Sequence, residues 1–131
     1  MLKTYSPGEV SLTIGGSIIN SWNSITVARN EDKNFATVGT QGEVTRTVNA
    51  SKLGTITIVL PQASADNATL SAKEISNGIE SIGVLDKSGN SIVTMAEGFM
   101  TGVAESAFEK EEGEREWVFQ GSLDAYVVGG N

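Results

Sequence analysis

The stretch Thr55-Ile56-Thr57-Ile58-Val59-Leu60, followed closely by Ser64-Ala65-Asp66-Asn67-Ala68-Thr69-Leu70, decides the fold, because the periodicity changes inside it. Ile56, Ile58 and Leu60 share one side of an extended chain and Thr55 and Thr57 the other, the two-residue period of a strand with one buried face. Beyond Ser64 the apolar residues Ala68, Ala72, Ile75 and Ile79 recur at helical spacing. Ser64 suits an N-cap, Asp66 the first turn and Gly78 the position just past the end, so one helix is predicted at about 64–77.

Outward from this point the strand period dominates. Val10, Leu12 and Ile14 alternate with Glu9, Ser11 and Thr13, and Gly15-Gly16 supplies a tight turn. Ser17 to Asn20 with Ile25 to Arg29 is expected to return antiparallel to that first strand. Glu43 to Val48 alternates again, with Lys52 and Gly54 marking a turn into Thr55 to Leu60. Downstream, Ile82 to Leu85 leads through Lys87-Ser88-Gly89-Asn90 to Ser91–Ala96. Phe99 to Phe108 reads as a longer extended segment and Glu109 to Gly113 as an acidic turn. Glu114 to Val128 closes the chain with Trp117, Phe119 and Leu123 on one parity. The fold class is mainly β, α+β by count: a twisted antiparallel β-sandwich or partly open barrel with one flanking helix.

With 131 residues the chain suits a single domain, 1–131. Cysteine and histidine are both absent, which removes thiolate nucleophiles, Ser-His and Cys-His pairs, and the ligands of most zinc and copper sites. A Ser-Lys nucleophile would need a lysine beside a strained, glycine-flanked serine, and none is so placed. Acids cluster at Glu31-Asp32 and at Glu109, Glu111, Glu112, Glu114 and Glu116, and two carboxylates could serve glycoside hydrolysis, but acids gathered at turns are ordinarily solvated. Asp86 to Asn90 lacks the repeated acids and closing glutamate of a calcium loop. No enzyme activity, cofactor or metal is therefore expected. Met1 to Pro7 has no apolar run, and no later segment has the length of a membrane span, so no leader and no membrane association are expected. The net charge of −7 argues against tightly held nucleic acid, which needs clustered Lys and Arg.

Three features point to a partner. The mostly polar stretch Asn30 to Gly42 is too long for an ordinary connection, and it holds one isolated aromatic, Phe35. Arg29 and Arg46 share the parity of Val27 and of Val44 and Val48, which aims a guanidinium at the side expected to be interior; each is either a strand-end side chain reaching water or one half of a pair across a subunit boundary. Ser11, Thr13, Thr45, Thr47, Thr55 and Thr57 form a polar, uncharged face suited to sheet contact or to a wet channel wall. The stretch 30–42 is accordingly predicted to be an inter-subunit loop, with Phe35 anchoring in a neighbour and Glu31, Asp32 and Lys33 setting register.

The order of these elements resembles one family. Tyr5-Ser6-Pro7, Asn23-Ser24-Ile25-Thr26-Val27-Ala28-Arg29, the long loop, Gly42-Glu43-Val44-Thr45-Arg46, the strand and helix quoted above, and Trp117-Val118-Phe119 are similar to the small tail tube proteins of contractile-tailed bacteriophages. The loop, Asn30-Glu31-Asp32-Lys33-Asn34-Phe35, is more acidic than in that pattern. The resemblance implies a structural subunit that polymerises into stacked hexameric rings. Those rings would form a tube inside a contractile sheath on a baseplate, assembled in the host cytoplasm and carried in the virion tail, with DNA only in transit and weakly bound. A tube of a phage-derived bacteriocin or injection machine would share these features. A monomeric carbohydrate- or surface-binding β-sandwich would need an exposed aromatic platform instead.

Overall fold

The computed structural model describes residues 2 and 4–130, so Met1, Lys3 and Asn131 of the predicted domain lie outside it. A short 3-10 turn, Pro7–Glu9, leads into β1 (Val10–Ile14), and β2 is Ser17–Ile19. Then come β3 (Ser24–Arg29), β4 (Asn34–Val38), β5 (Val44–Val48), β6 (Leu53–Pro61), α1 (Asp66–Ser76), β7 (Glu80–Asp86), β8 (Ser91–Met100), β9 (Glu114–Ser122) and β10 (Ala125–Val127). Every strand pairing is antiparallel. The main sheet runs β2-β1-β7-β8-β9-β6-β3, with β10 also on β8, while β4 and β5 form a separate two-stranded sheet.

The main sheet folds back on itself at β8. One edge of β8 is shared: β10 pairs with Ile92, Val93 and Thr94, and β9 with Gly98, Phe99 and Met100. At the corner the β7–β8 register shifts, a bulge that bends and twists the strand. Gly98 faces Gly121 there, and a Cβ on Gly121 would run into the Glu97 carbonyl and Met95, so the crossing requires a residue without a side chain. The fold-back brings β10 against β3, where the Tyr126 hydroxyl donates to the Val27 carbonyl at 3.0 Å. Strands β2 and β3 end the sheet unpaired with each other, so the barrel stays open.

Between the two halves lies one core. Leu12, Ile14, Ile82 and Met95 from one half meet Ile56, Ile58, Leu60, Trp117 and Phe119 from the other. The parities predicted for Leu12/Ile14, for Ile56/Ile58/Leu60 and for Trp117/Phe119/Leu123 all point inward.

Four features of the chain differ from the sequence reading. Strand β3 pairs with β6, from Ser24↔Val59 to Arg29↔Gly54, rather than returning to β1. Strand β5 pairs with β4 and not with β6, so the stretch 30–42 contains a strand and is half of a hairpin. Strand β8 continues to Met100, and the segment expected to be extended to Phe108 is irregular from Thr101 to Gly113.

The helix, expected at about 64–77, occupies Asp66–Ser76, and its predicted face is the wrong one. Leu70 is its buried residue, whereas Ala68, Ala72, Ile75 and Ile79 are exposed. Orientation is set at the first turn by Asn67. Its Nδ2 donates to the carbonyls of Pro61, Gln62 and Ser64, and its Oδ1 accepts from Trp117 Nε1 at 2.9 Å. The residue past the helix in left-handed conformation is Asn77 rather than Gly78. Ser64 does accept the Asp66 N–H at 3.2 Å, one residue ahead of the helix-capping position.

Trp117 is 3% exposed and joins core packing to this helix anchor. Trp117→Ala should cost about 3–5 kcal/mol, read as a fall in melting temperature. Trp117→Phe keeps an aromatic ring but loses the bond to Asn67 and part of the indole volume, so it should cost roughly 1–3 kcal/mol, less than the alanine variant. Equal losses from the two variants would contradict the packing described.

Candidate assembly surfaces

The β4–β5 hairpin is an arm. All residues from 28 to 48 are exposed, and neither strand pairs with the main sheet. Its base is closed by Asn49, whose N–H donates to the Lys33 carbonyl and whose Nδ2 donates to Glu31 Oε2, both at 2.7 Å. At its far end Gly39 N–H donates to the Glu43 carbonyl at 2.8 Å and Gly42 has φ +84.

Register separates the arm's two faces, because opposed residues of an antiparallel pair lie on the same side. Ala36↔Arg46 and Val38↔Val44, with Asn34↔Val48, make one face; Phe35↔Thr47 and Thr37↔Thr45 make the other. Val38, Val44 and Val48 are 71%, 68% and 55% exposed, so the first face is an apolar strip with one guanidinium in it. Phe35, half exposed, stands among threonines on the second.

Arg46 thus points to no interior, since the arm has none. Arg29 ends β3 in the open, its guanidinium 6.0 Å from the centre of the Tyr126 ring. Glu31, Asp32 and Lys33 gather at the arm's base, whereas Phe35 and Arg46 lie farther out on opposite faces. The valine strip was missed in the sequence because an alternating strand was read as half-buried.

A second surface is the outward side of β3, β6 and β9. Register places Ser24, Thr26 and Ala28 beside Val59, Thr57 and Thr55, and these beside Glu116, Val118 and Gln120. The nine side chains include one carboxylate and no cation. Among the described residues a single ion pair joins Lys73 to Glu80, at 3.5 Å, and no group of acids is placed to hold a metal. No helix among the described residues is long and apolar enough to cross a membrane.

Strand order, the open sandwich and the free arm define a class, the tail-tube-like β-sandwich. The tube-terminating cap of an anti-feeding prophage has this fold, with a TM-score of 0.70 at 10% identity over 98% of this chain and 94% of that one. So does a chain from the tail of an empty GTA particle solved with C6 symmetry, at TM-score 0.62, 12% identity, and 98% and 100% coverage. The sheath/tube terminator of the PVC extracellular contractile injection system is similar at TM-score 0.60, 11% identity, and 98% and 99% coverage. A search by sequence among curated proteins finds no match. The family model described as "Bacteriophage PhiTE tail tube protein" matches residues 3–127, and the chain belongs to that family of structural tail proteins.

A surface with no cation gives phosphate nothing to hold. The purified protein should show no mobility shift with duplex DNA at physiological salt, whereas Thr26→Lys with Gln120→Lys should create weak, salt-sensitive retention. Tight binding by the unaltered protein would contradict the electrostatics described.

Proposed function

We propose that this chain is a non-enzymatic wall subunit of a phage tail tube, assembling into hexameric rings that stack around a channel for DNA. The unpartnered arm carries the reading. A monomer that exposes three valines and a phenylalanine on a two-stranded hairpin leaves apolar surface in water that a second copy can cover. Tubes need heterologous contacts, one patch against a different patch on the next copy, and a projecting hairpin makes such a contact without disturbing its own core.

In this reading the arm joins neighbouring subunits. Phe35 anchors in a neighbour, Arg46 and Arg29 meet acids across the boundary, and Glu31, Asp32 and Lys33 fix register. The cation-free face of β3, β6 and β9 lines the channel, where small uncharged side chains and an overall charge of −7 let DNA slide. Sheath and baseplate proteins are the other partners, DNA is a transient one, and the assembly forms in the host cytoplasm and ends in the virion tail. The C6 symmetry stated for the GTA tail supports a six-fold ring.

A second reading, a tube-terminating cap, is favoured by the higher TM-score to the prophage cap. A cap forms one ring and stops; a tube subunit elongates.

Electron microscopy of the purified protein separates these, with long filaments of a single hollow bore expected for a tube subunit and single rings for a cap. The arm is then tested by removing it. Lys33 and Asn49 are hydrogen-bonded neighbours at its base, so a short Gly/Ser turn can replace the residues between them without touching the main sheet. This variant should keep its melting behaviour and remain unassembled at concentrations where the intact chain polymerises. Normal filaments from it would show that the arm does not join subunits.

A further inference from the structure

Arg115 falls on the inward parity of β9, with Trp117 and Phe119, and is 7% exposed. Its Nη1 donates to the Glu114 carbonyl and its Nη2 to the Ala107 carbonyl, each at 3.0 Å, and its guanidinium lies 5.5 Å from the centre of the Phe108 ring. The two carbonyls satisfy part of its hydrogen bonding and the ring face attracts its charge weakly, but none of them supplies a counter-charge. Among the described residues no carboxylate pairs with it. A desolvated guanidinium without a counter-charge is costly wherever it is closed off from water.

This one is not closed off. It lines a cavity of about 350 Å³ between α1 and the irregular segment after β8. The other polar side chains of the lining are uncharged: Asn67 uses its whole amide as above, Gln62 Oε1 accepts the Gly113 N–H at 3.0 Å, and Ser71 and Ser106 contribute hydroxyls, so Arg115 is the one charged group of the lining. Arg115 has five N–H donors and spends two, so it holds unspent donors as well as the positive charge at the wall. The rim is apolar and exposed, with Val103 at 63% and Phe108 at 82%. A pocket with a cation inside and apolar side chains at its mouth fits a carboxylate flanked by apolar residues.

We propose that this pocket receives the carboxylate of Glu43 from the arm of a second copy, so that Arg115 is a docking residue of the assembled protein. The proposal rests on the self-association argued above and names its socket. Each copy carries 16 acids against nine basic residues and closes one ion pair among the described residues, so carboxylates are in surplus on every copy. Glu43 is the acid placed beyond the arm's base, at the turn, with exposed Val38 and Val44 beside it to meet the apolar rim. Five-residue strands carry it about 17 Å out from that base, far enough to enter another molecule.

Absence of cysteine from the chain gives a direct test by cross-linking. Gln41→Cys, in the same turn as Glu43, and Val103→Cys both alter exposed residues and keep the Glu43 carboxylate, so neither should disturb folding or the contact under test. The two variants, mixed, assembled and oxidised, should give a disulfide-linked dimer on a non-reducing gel, and the double variant a ladder; either variant alone should give neither. The energetic arm is a double-mutant cycle in the full chain. Glu43→Gln and Arg115→Gln should each raise the concentration needed for assembly about thirtyfold or more, as expected for losing one side of a desolvated charge pair, and the two together little further. Circular dichroism shows whether Arg115→Gln still folds; if it does not, the cross-link decides. Assembled protein with no cross-link, or with the two substitutions multiplying their effects, would overturn the pocket and leave the tube reading intact. Failure of the unaltered chain to assemble would remove both.

Discussion

The pairing of β6 with β9 is the constraint on which the other elements depend. Nine residue pairs, from Leu53↔Ser122 to Pro61↔Glu114, join segments that lie far apart in sequence. They set Ile56, Ile58 and Leu60 beside Phe119, Trp117 and Arg115 on a single inward face. Once these two strands are in register, β3 takes the free edge of β6 and β8 meets the free edge of β9. The Trp117 indole, fixed by that register, then holds Asn67 and with it the start of α1. A one-residue slip of β9 against β6 would put Trp117 and Phe119 on the face opposite Ile56 and Ile58, which is why the register is so strongly specified.

The same pairing explains why the arm is free. With β3 on one edge of β6 and β9 on the other, no ladder position remains on β6 for β5, the strand that precedes it. Its backbone groups must still be paired, and β4 is the strand within reach. Exposure of the valines follows from the saturation of the spine. It does not follow from any weakness in their own β-propensity.

That distinction marks what the sequence could show. The two-residue period identified most strands and their buried faces, because burial acts on each strand separately: Leu12, Ile58 and Phe119 are where alternation put them. Which strand pairs with which depends on competition among edges, and no local pattern reports the outcome, so adjacency misassigned β3 and β5. Parity failed for Arg46 because it presumes that every strand has an inside. Helical spacing failed for Ile75 and Ile79 because Leu70 and the Asn67 anchor outvote a longer but less bulky stripe. Arg115 was legible and passed over: the parity that placed Trp117 and Phe119 in the core places it there too. Phe35, Arg46, Glu31, Asp32 and Lys33 were singled out by the sequence as contacts to a neighbour; the structure leaves all five exposed, with Glu31 accepting from Asn49, on a hairpin whose form was not foreseen.

A two-stranded hairpin is at best marginally stable alone in water, and exposed apolar strand surface invites pairing with any other edge. A chain that carries such an element with every residue exposed leaves part of its ordering free energy to association. For a polymer this has a kinetic consequence. The first contact between two copies must order the arm as well as bury it, so it gains less than the bare apolar area suggests, and two copies alone are weakly held. Growth on an existing ring meets docking surfaces already ordered by their neighbours, and each addition gains more. Slow initiation with favourable extension is the behaviour a tube requires if subunits are to remain dispersed until a ring is present to build on. If this chain builds a tube as proposed, the physical origin of that behaviour is the exclusion of β5 from β6, both of whose edges are taken.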